Sequence, residues 1–216
     1  MARITVLGGS GYAGAAVVAE AARRGHEVTS VSRNAIAEPV DGVEYVTGSA
    51  LDPAVLDTVL ADRDAVIVAL SPRGDMAGKL EGVVEDLISR LAGTPTRVGY
   101  VGGASSLLVE EGGPRLWDVS REHIPAEFHP EIETGMRALD LFRASPETLD
   151  WFYVSPPQDF GARFGGPAKG AYERGGDILL RDADGKSTIS AADLALAIVD
   201  EVESPQHRRA RFTAIH

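Results

Sequence analysis

The chain has 216 residues, 44% hydrophobic and 25% charged, with a formal net charge of −11 and no cysteine. That composition suits a well-buried domain rather than a disordered chain. The missing thiols exclude disulfides, thiolate catalysis and cysteine-based zinc sites, and the acidic balance disfavours a general nucleic-acid binder, which needs clustered Lys and Arg.

Strand one is expected over Ile4 to Leu7, almost at Met1. That leaves no room for a signal peptide, and no apolar run reaches the length of a membrane span, so the sequence reads as cytoplasmic. An alanine-rich helix follows from about Ala13 to Arg24 and stops at Gly25, a residue suited to the left-handed conformation after a helix end. Strands two and three are Glu27 to Val31 and Val43 to Val46. Asp52 then caps a helix with Pro53 in its first turn and Val55, Leu56, Val59 and Leu60 as its buried stripe. The continuous apolar run Ala65 to Leu70 predicts a central strand covered on both faces.

Met76 to Leu91 has helical spacing, and Val98 to Val101 is the fifth strand. A polar, proline-containing stretch from Ser105 to Pro130 precedes a helix from about Glu131 to Phe142 and a sixth strand, Trp151 to Ser155. Residues 158–189 turn rich in Gly and Asp, with a turn expected at Asp182 to Gly185 between Ile178-Leu179-Leu180 and Thr188-Ile189. Ser190 to Asp193 has the form of a capping box for a last helix to about Glu203, and Arg211 to Ile215 is a final strand. Strands alternating with helices predict an α/β fold, a Rossmann-type doubly wound parallel sheet. The expectation is a single domain over residues 1–216, with 156–190 as a small C-terminal substrate-side subdomain.

Gly8, Gly11 and Gly14 directly follow a buried strand and open a helix, in the run Gly8-Gly9-Ser10-Gly11-Tyr12-Ala13-Gly14. This context makes the glycine pattern a dinucleotide fingerprint: a tight turn, backbone approach to a pyrophosphate, and close packing of helix on strand. The positive end of the helix then holds the diphosphate. NAD-specific sites carry an acidic residue at the end of strand two, about 20 residues further on. This chain has Ser32 and Arg33 there, and Arg33 suits a 2′-phosphate, so NADP(H) is expected in preference to NAD(H). No carboxylate is expected nearby to repel that phosphate, the nearest downstream being Glu38, beyond the strand end. By position, Ser49, Ala50 and Leu51 are expected against adenine. Ala69, Leu70 and Ser71 after strand four, and Gly102, Gly103 and Ala104 after strand five, are expected to line the ribose and nicotinamide, with Ser155 and Pro156 closing the site after strand six.

The fingerprint, the segment Gly102 to Leu107, Asp150-Trp151 leading into Ser155-Pro156, and the C-terminal run from Ile189-Ser190 to Arg211-Phe212-Thr213 together resemble the atypical short-chain dehydrogenase/reductases. The similarity is to their NADH-flavin reductase-like group and covers nearly the whole chain. Biliverdin reductase B looks like a more distant relative, which implies NADPH-dependent reduction of flavins and tetrapyrroles, and its serine after strand five matches Ser105. The resemblance also exposes a departure. Ordinary short-chain dehydrogenases use a Tyr-x-x-x-Lys pair on the helix after strand five. No tyrosine here is followed four places later by lysine: Tyr12, Tyr45 and Tyr100 lie before or within cofactor-side elements, and Tyr153 and Tyr172 fall outside that helix.

Hydride transfer to a planar acceptor such as a flavin or quinone survives that absence, because a delocalised ring stabilises the incoming charge without a strong enzymic acid. Two alternatives stand beside it: a redox-sensing regulator that binds dinucleotide without turnover, and a sugar-nucleotide epimerase or dehydratase. Ser105 or Ser106 is a candidate to hydrogen-bond the carboxamide or the acceptor, or else a loop serine bonded to its own backbone. His129 and His123 are candidate proton relays or exposed loop residues. Trp117, Phe128, Phe160 and Phe164 either form a platform for a planar acceptor or pack the subdomain. No histidine pair has metal-ligand spacing, so no metal is expected. The expected partner is a small-molecule acceptor, not nucleic acid or membrane.

Overall fold

A computed structural model describes all residues, 1–216. Its strands are β1 (Arg3–Leu7), β2 (Glu27–Ser32), β3 (Val43–Thr47), β4 (Ala65–Val68), β5 (Arg97–Val101), β6 (Trp151–Ser155), β7 (Glu173–Gly175) and β8 (Ala210–Ile215). They form one sheet in the order β3-β2-β1-β4-β5-β6-β8-β7, and every neighbouring pair is parallel except β7 with β8. Strand order reverses between β1 and β4, and a crevice forms outside their carboxyl ends at such a point.

The helices are α1 (Tyr12–Arg23), α2 (Pro53–Val59), α3 (Leu80–Leu91), α4 (Leu116–Ser120), α5 (His129–Ala144) and α6 (Ala191–Glu203). One core layer packs Val17, Val18 and Ala21 of α1 and Leu194, Ala195 and Ile198 of α6 against Ile4, Val6, Ile67 and Phe152. The other packs Leu80, Val83, Val84 and Leu87 of α3 and Ala138, Leu139 and Phe142 of α5 against Val66, Val68, Val98 and Tyr100. The apolar stripes of the helices thus cover both faces of β4, which is why that strand is apolar at every position.

The local capping signals act as their chemistry predicts. The Asp52 carboxylate accepts from the Ala54 amide at 3.0 Å, and the Ser190 hydroxyl accepts from the Asp193 amide at 3.0 Å. Other segments differ from the sequence expectation. The helix expected from Met76 starts only at Leu80, because Gly78 has φ +68°, a left-handed conformation that interrupts an α-helix. The turn at Asp182–Gly185 forms, with the Asp182 side chain accepting from the amides of Asp184 and Lys186, but its flanks do not pair as a hairpin. Ile178 pairs instead with Leu108, and Thr188 with Asp159. Residues 156–190 also contribute the edge strand β7, so they are joined to the main sheet. No helix is long and apolar enough to cross a membrane.

Candidate dinucleotide groove and acceptor cleft

The turn after β1 is built around Gly8, whose φ of +88° is left-handed and whose Cβ, were there one, would lie 2.5 Å from the Ala69 carbonyl oxygen. A side chain there is excluded twice over, by conformation and by space. Gly14 lets α1 sit on this turn, since a Cβ would lie 2.2 Å from the Gly8 carbonyl oxygen. Gly11 is the N-cap of α1. No side chain caps this helix and no acidic residue occupies its first turn, so the first-turn amides and the positive helix end are left for an anion.

Two hollows open along the carboxyl ends of the strands, of about 340 and 490 Å³. They share Gly11, Ala69, Leu70, Ser71 and Arg73 and so form one groove passing beneath the start of α1. The smaller lobe is lined by Gly8, Ser10, Ser32, Arg33, Ser49 and Ala50, the larger by Tyr12, Ala13, Gly102, Gly103, Ser105 and Ser106. An elongated groove with an uncapped helix end at its middle and a guanidinium at one end fits the donor set a dinucleotide requires.

Arg33 is exposed at the mouth of the smaller lobe, and its Nη1 donates to the Asp75 carboxylate at 3.1 Å. The sequence expectation that no acidic group lies near Arg33 is therefore corrected. Asp75 belongs to the single helical turn Gly74–Met76 after β4, which folds back to the end of β2. Arg73, unmarked in the sequence, lines both lobes and pairs with Glu131 of α5.

Several expected site residues stand elsewhere. Leu51 packs at the edge of the core, and Ala104 packs beside Leu107, Leu116 and Leu179. Ser155 and Pro156 are buried and do not line the groove. His129 is turned away: its Nε2 lies 2.9 Å from the Ile124 carbonyl oxygen, and its ring meets Trp117 edge-on at 4.9 Å. His123 is exposed on a separate turn. Of the four aromatics, Phe160 alone reaches the cleft, where it packs against Tyr12 with ring centroids 5.3 Å apart. Trp117 is buried, while Phe128 and Phe164 are exposed.

Two tyrosines line the larger lobe unforeseen. Tyr100 and Tyr153 are paired in register on β5 and β6 and stack at 5.2 Å. Their identical register was the signal that could have found them, because residues paired in register share a sheet face. Tyr153 runs under Gly102, where a Cβ would lie 1.8 Å from the phenolic oxygen. The Tyr153 hydroxyl donates to the Gly135 carbonyl of α5 at 3.0 Å. Burial pushes both phenols well above their ordinary value. Tyr153 thus occupies the cleft wall with its proton already engaged. Ile132 and Met136, from the same helix as Gly135, add apolar lining to this lobe.

Ser105 and Ser106 both line the larger lobe. The Ser106 oxygen accepts from Nη1 of Arg211 at 2.8 Å. Arg211, on β8, is almost wholly buried and donates from Nε to Asp177 at 2.7 Å.

A family described as NAD(P)H-binding matches residues 8–205. The chain is 35% identical to the Bacillus subtilis protein YwnB, itself uncharacterized, over 99% of this chain and 98% of that one. Among solved structures, a candidate NADH-flavin reductase from Streptococcus pneumoniae is similar at TM-score 0.88 and 33% identity, covering 100% of both chains. A candidate epimerase from Bacteroides thetaiotaomicron is similar at TM-score 0.84 and 31% identity, over 99% of this chain and 96% of that one.

Proposed function

The chain belongs to the NAD(P)H-binding family, and from that premise we propose that it is an NADPH-preferring reductase that passes hydride to a planar acceptor such as a flavin or quinone. The observation that carries this reading is the single groove with Arg33 at one end and, at the other, a part-apolar cleft whose Tyr153 hydroxyl is bonded to Gly135. The likeness to a candidate NADH-flavin reductase supports it.

When bound, the dinucleotide supplies the hydride. The rest falls to the chain's own residues. Arg33 binds a 2′-phosphate by a charge-assisted fork. The first-turn amides of α1, with Arg73 beside them, hold the pyrophosphate. Ile132, Met136 and Phe160 give a planar ring an apolar surface and keep water from its face, while Ser105 and Ser106 offer hydroxyls at its edge. Carbonyl reduction and epimerisation both need a group free to give or take a proton, a tyrosine in the ordinary short-chain dehydrogenases. The chain has no Tyr-x-x-x-Lys pair and the Tyr153 hydroxyl is bonded to Gly135, which speaks against them.

The test is NADPH and NADH oxidation with FMN, a naphthoquinone and a simple ketone side by side. Flavin or quinone should turn over far faster than the ketone, because general acid catalysis is worth about 10²–10⁴-fold and the ketone alkoxide depends on it. Ketone reduction without flavin or quinone turnover overturns the reading. Tight NADPH binding with no turnover on any acceptor replaces it with dinucleotide sensing, the reading that an engaged Tyr153 would also suit.

A further inference from the structure

We propose that the acceptor end of the cleft is an oxyanion site, in which Ser106, held by the buried guanidinium of Arg211, donates a hydrogen bond to a negatively charged oxygen of a planar ligand. This rests on the reading of the larger lobe as the acceptor site, and it adds the class of ligand atom recognised and the two residues that recognise it.

The argument begins with the direction of one hydrogen bond. Arginine carries only donors, so in the 2.8 Å contact the Ser106 oxygen is the acceptor. Its own proton finds no acceptor in the protein, and Ser106 lines the cleft. The hydroxyl is therefore oriented with its hydrogen available to a ligand. A cation bonded to the oxygen polarises the O–H and makes it a better donor, more so where water is excluded. Ser105 has no comparable partner and remains a free rotor.

The placement of charge behind the cleft wall, a buried cation with its carboxylates in solvent, favours an anion as well. Arg211 is 3% exposed at its side chain, and Arg143 lies 3.6 Å from the same Asp177 carboxylate. Arg143 also pairs with Asp140 at 3.8 Å, so the two guanidinium groups are matched by two carboxylates, but both carboxylates are more than half exposed while Arg211 is buried directly behind Ser106. The carboxylate that lines this lobe, Glu131, is paired with Arg73. Tyr100 and Tyr153 stay neutral, since burial disfavours their charged forms. A preorganised donor backed by fixed positive charge is the arrangement that stabilises charge developing on oxygen. For a quinone, the two electrons and one proton of a hydride taken from NADPH leave NADP⁺ and a hydroquinone monoanion. The anionic oxygen takes the Ser106 hydrogen bond, and the second proton comes from water.

The test uses para-nitrophenol as a probe of the full-length protein without dinucleotide, read by the visible absorbance of its phenolate during a pH titration. Wild type should bind the phenolate about tenfold more tightly than the phenol, which lowers the apparent pKa of the bound probe by about one unit. Ser106→Ala should abolish that preference, and Ser106→Thr, which keeps the hydroxyl, should restore most of it. Arg211→Met should abolish it too. If that variant fails to fold after losing a buried cation, Ser106→Ala still decides. Equal binding of the two probe forms, failure of the phenolate to bind, or an unchanged preference in Ser106→Ala overturns the proposal. Phenolate preference without NADPH oxidation by any acceptor would sink the reductase reading and leave the oxyanion site standing. Flavin or quinone turnover without phenolate preference would sink the oxyanion site alone.

Discussion

The Asp75 carboxylate lies 3.1 Å from the Arg33 guanidinium at the mouth of the smaller lobe, and both side chains are more than half exposed. A 2′-phosphate arriving at Arg33 must displace or share this carboxylate. Exposed pairs of this kind contribute only about 0–1 kcal/mol, so Asp75 tunes the site rather than closing it. Asp75→Asn should strengthen NADPH binding about two- to fivefold and leave NADH binding unchanged. Titration calorimetry with both cofactors checks it. Equal gains for NADPH and NADH would show that Asp75 acts on something other than the phosphate.

Arg33→Ala should weaken NADPH binding about ten- to hundredfold, the loss of a charge-assisted hydrogen bond of roughly 1.5–3 kcal/mol, with little effect on NADH. In that background Asp75→Asn should have no further effect, because the two residues act through one contact. Parallel losses for both cofactors would remove the phosphate from Arg33.

The glycines of the turn separate by role. Gly11 has ordinary backbone angles, with φ −77°, and faces the groove, and a Cβ there would meet the Gly8 carbonyl oxygen at 3.3 Å, so Gly11→Val should keep the fold with some loss of stability and fail to bind dinucleotide. Gly14→Val should instead lose the fold, since even a Cβ would sit 2.2 Å from the Gly8 carbonyl oxygen. Thermal unfolding and cofactor titration on the two variants distinguish these outcomes. Normal NADPH binding by Gly11→Val would displace the pyrophosphate from the start of α1.

Tyr153→Phe should leave flavin or quinone turnover within about threefold, while lowering stability by about 1 kcal/mol for the lost bond to Gly135. A collapse of turnover with stability preserved would make the phenol a proton donor despite its engagement with that carbonyl. Steady-state kinetics and denaturant unfolding measure the two halves.

Glu201 on α6 is fully buried and accepts from Arg97 at 2.8 Å, from the amides of Gln206 and His207, and from the His207 ring. Burial raises its pKa, but the bonds from His207, Arg97 and Gln206 outweigh it and hold the carboxyl below its ordinary 4.5. A carboxyl depressed in the folded state contributes stability that is complete above the unfolded value and lost as pH falls through the folded one. Acid unfolding should therefore steepen below about pH 4.5, and Glu201→Gln should cost about 3 kcal/mol at neutral pH by leaving Arg97 without its buried partner. Arg97 begins β5, at the opposite end from the groove. Cofactor affinity of the folded variant should be unchanged, and denaturant titrations at several pH values read the stability loss.

The sequence by itself determined whatever depends on neighbours along the chain. Hydrophobic period placed every strand except β7 and most of the helices, Asp52 and Ser190 announced their caps, and the glycine run fixed the turn before α1. Arg33 was legible because the end of β2 follows from strand length alone. Sequence spacing could not show that Asp75 reaches Arg33, that the Gly135 carbonyl accepts from the Tyr153 hydroxyl, that His129 turns to the Ile124 carbonyl, or that Arg211 orients Ser106. Only the tertiary structure decided these. In a parallel sheet, adjacent strands are joined by long crossovers, so the side chains that meet at their carboxyl ends come from distant parts of the chain. Which hydroxyl keeps a free proton there is set by those long-range partners, not by the residue's own neighbours.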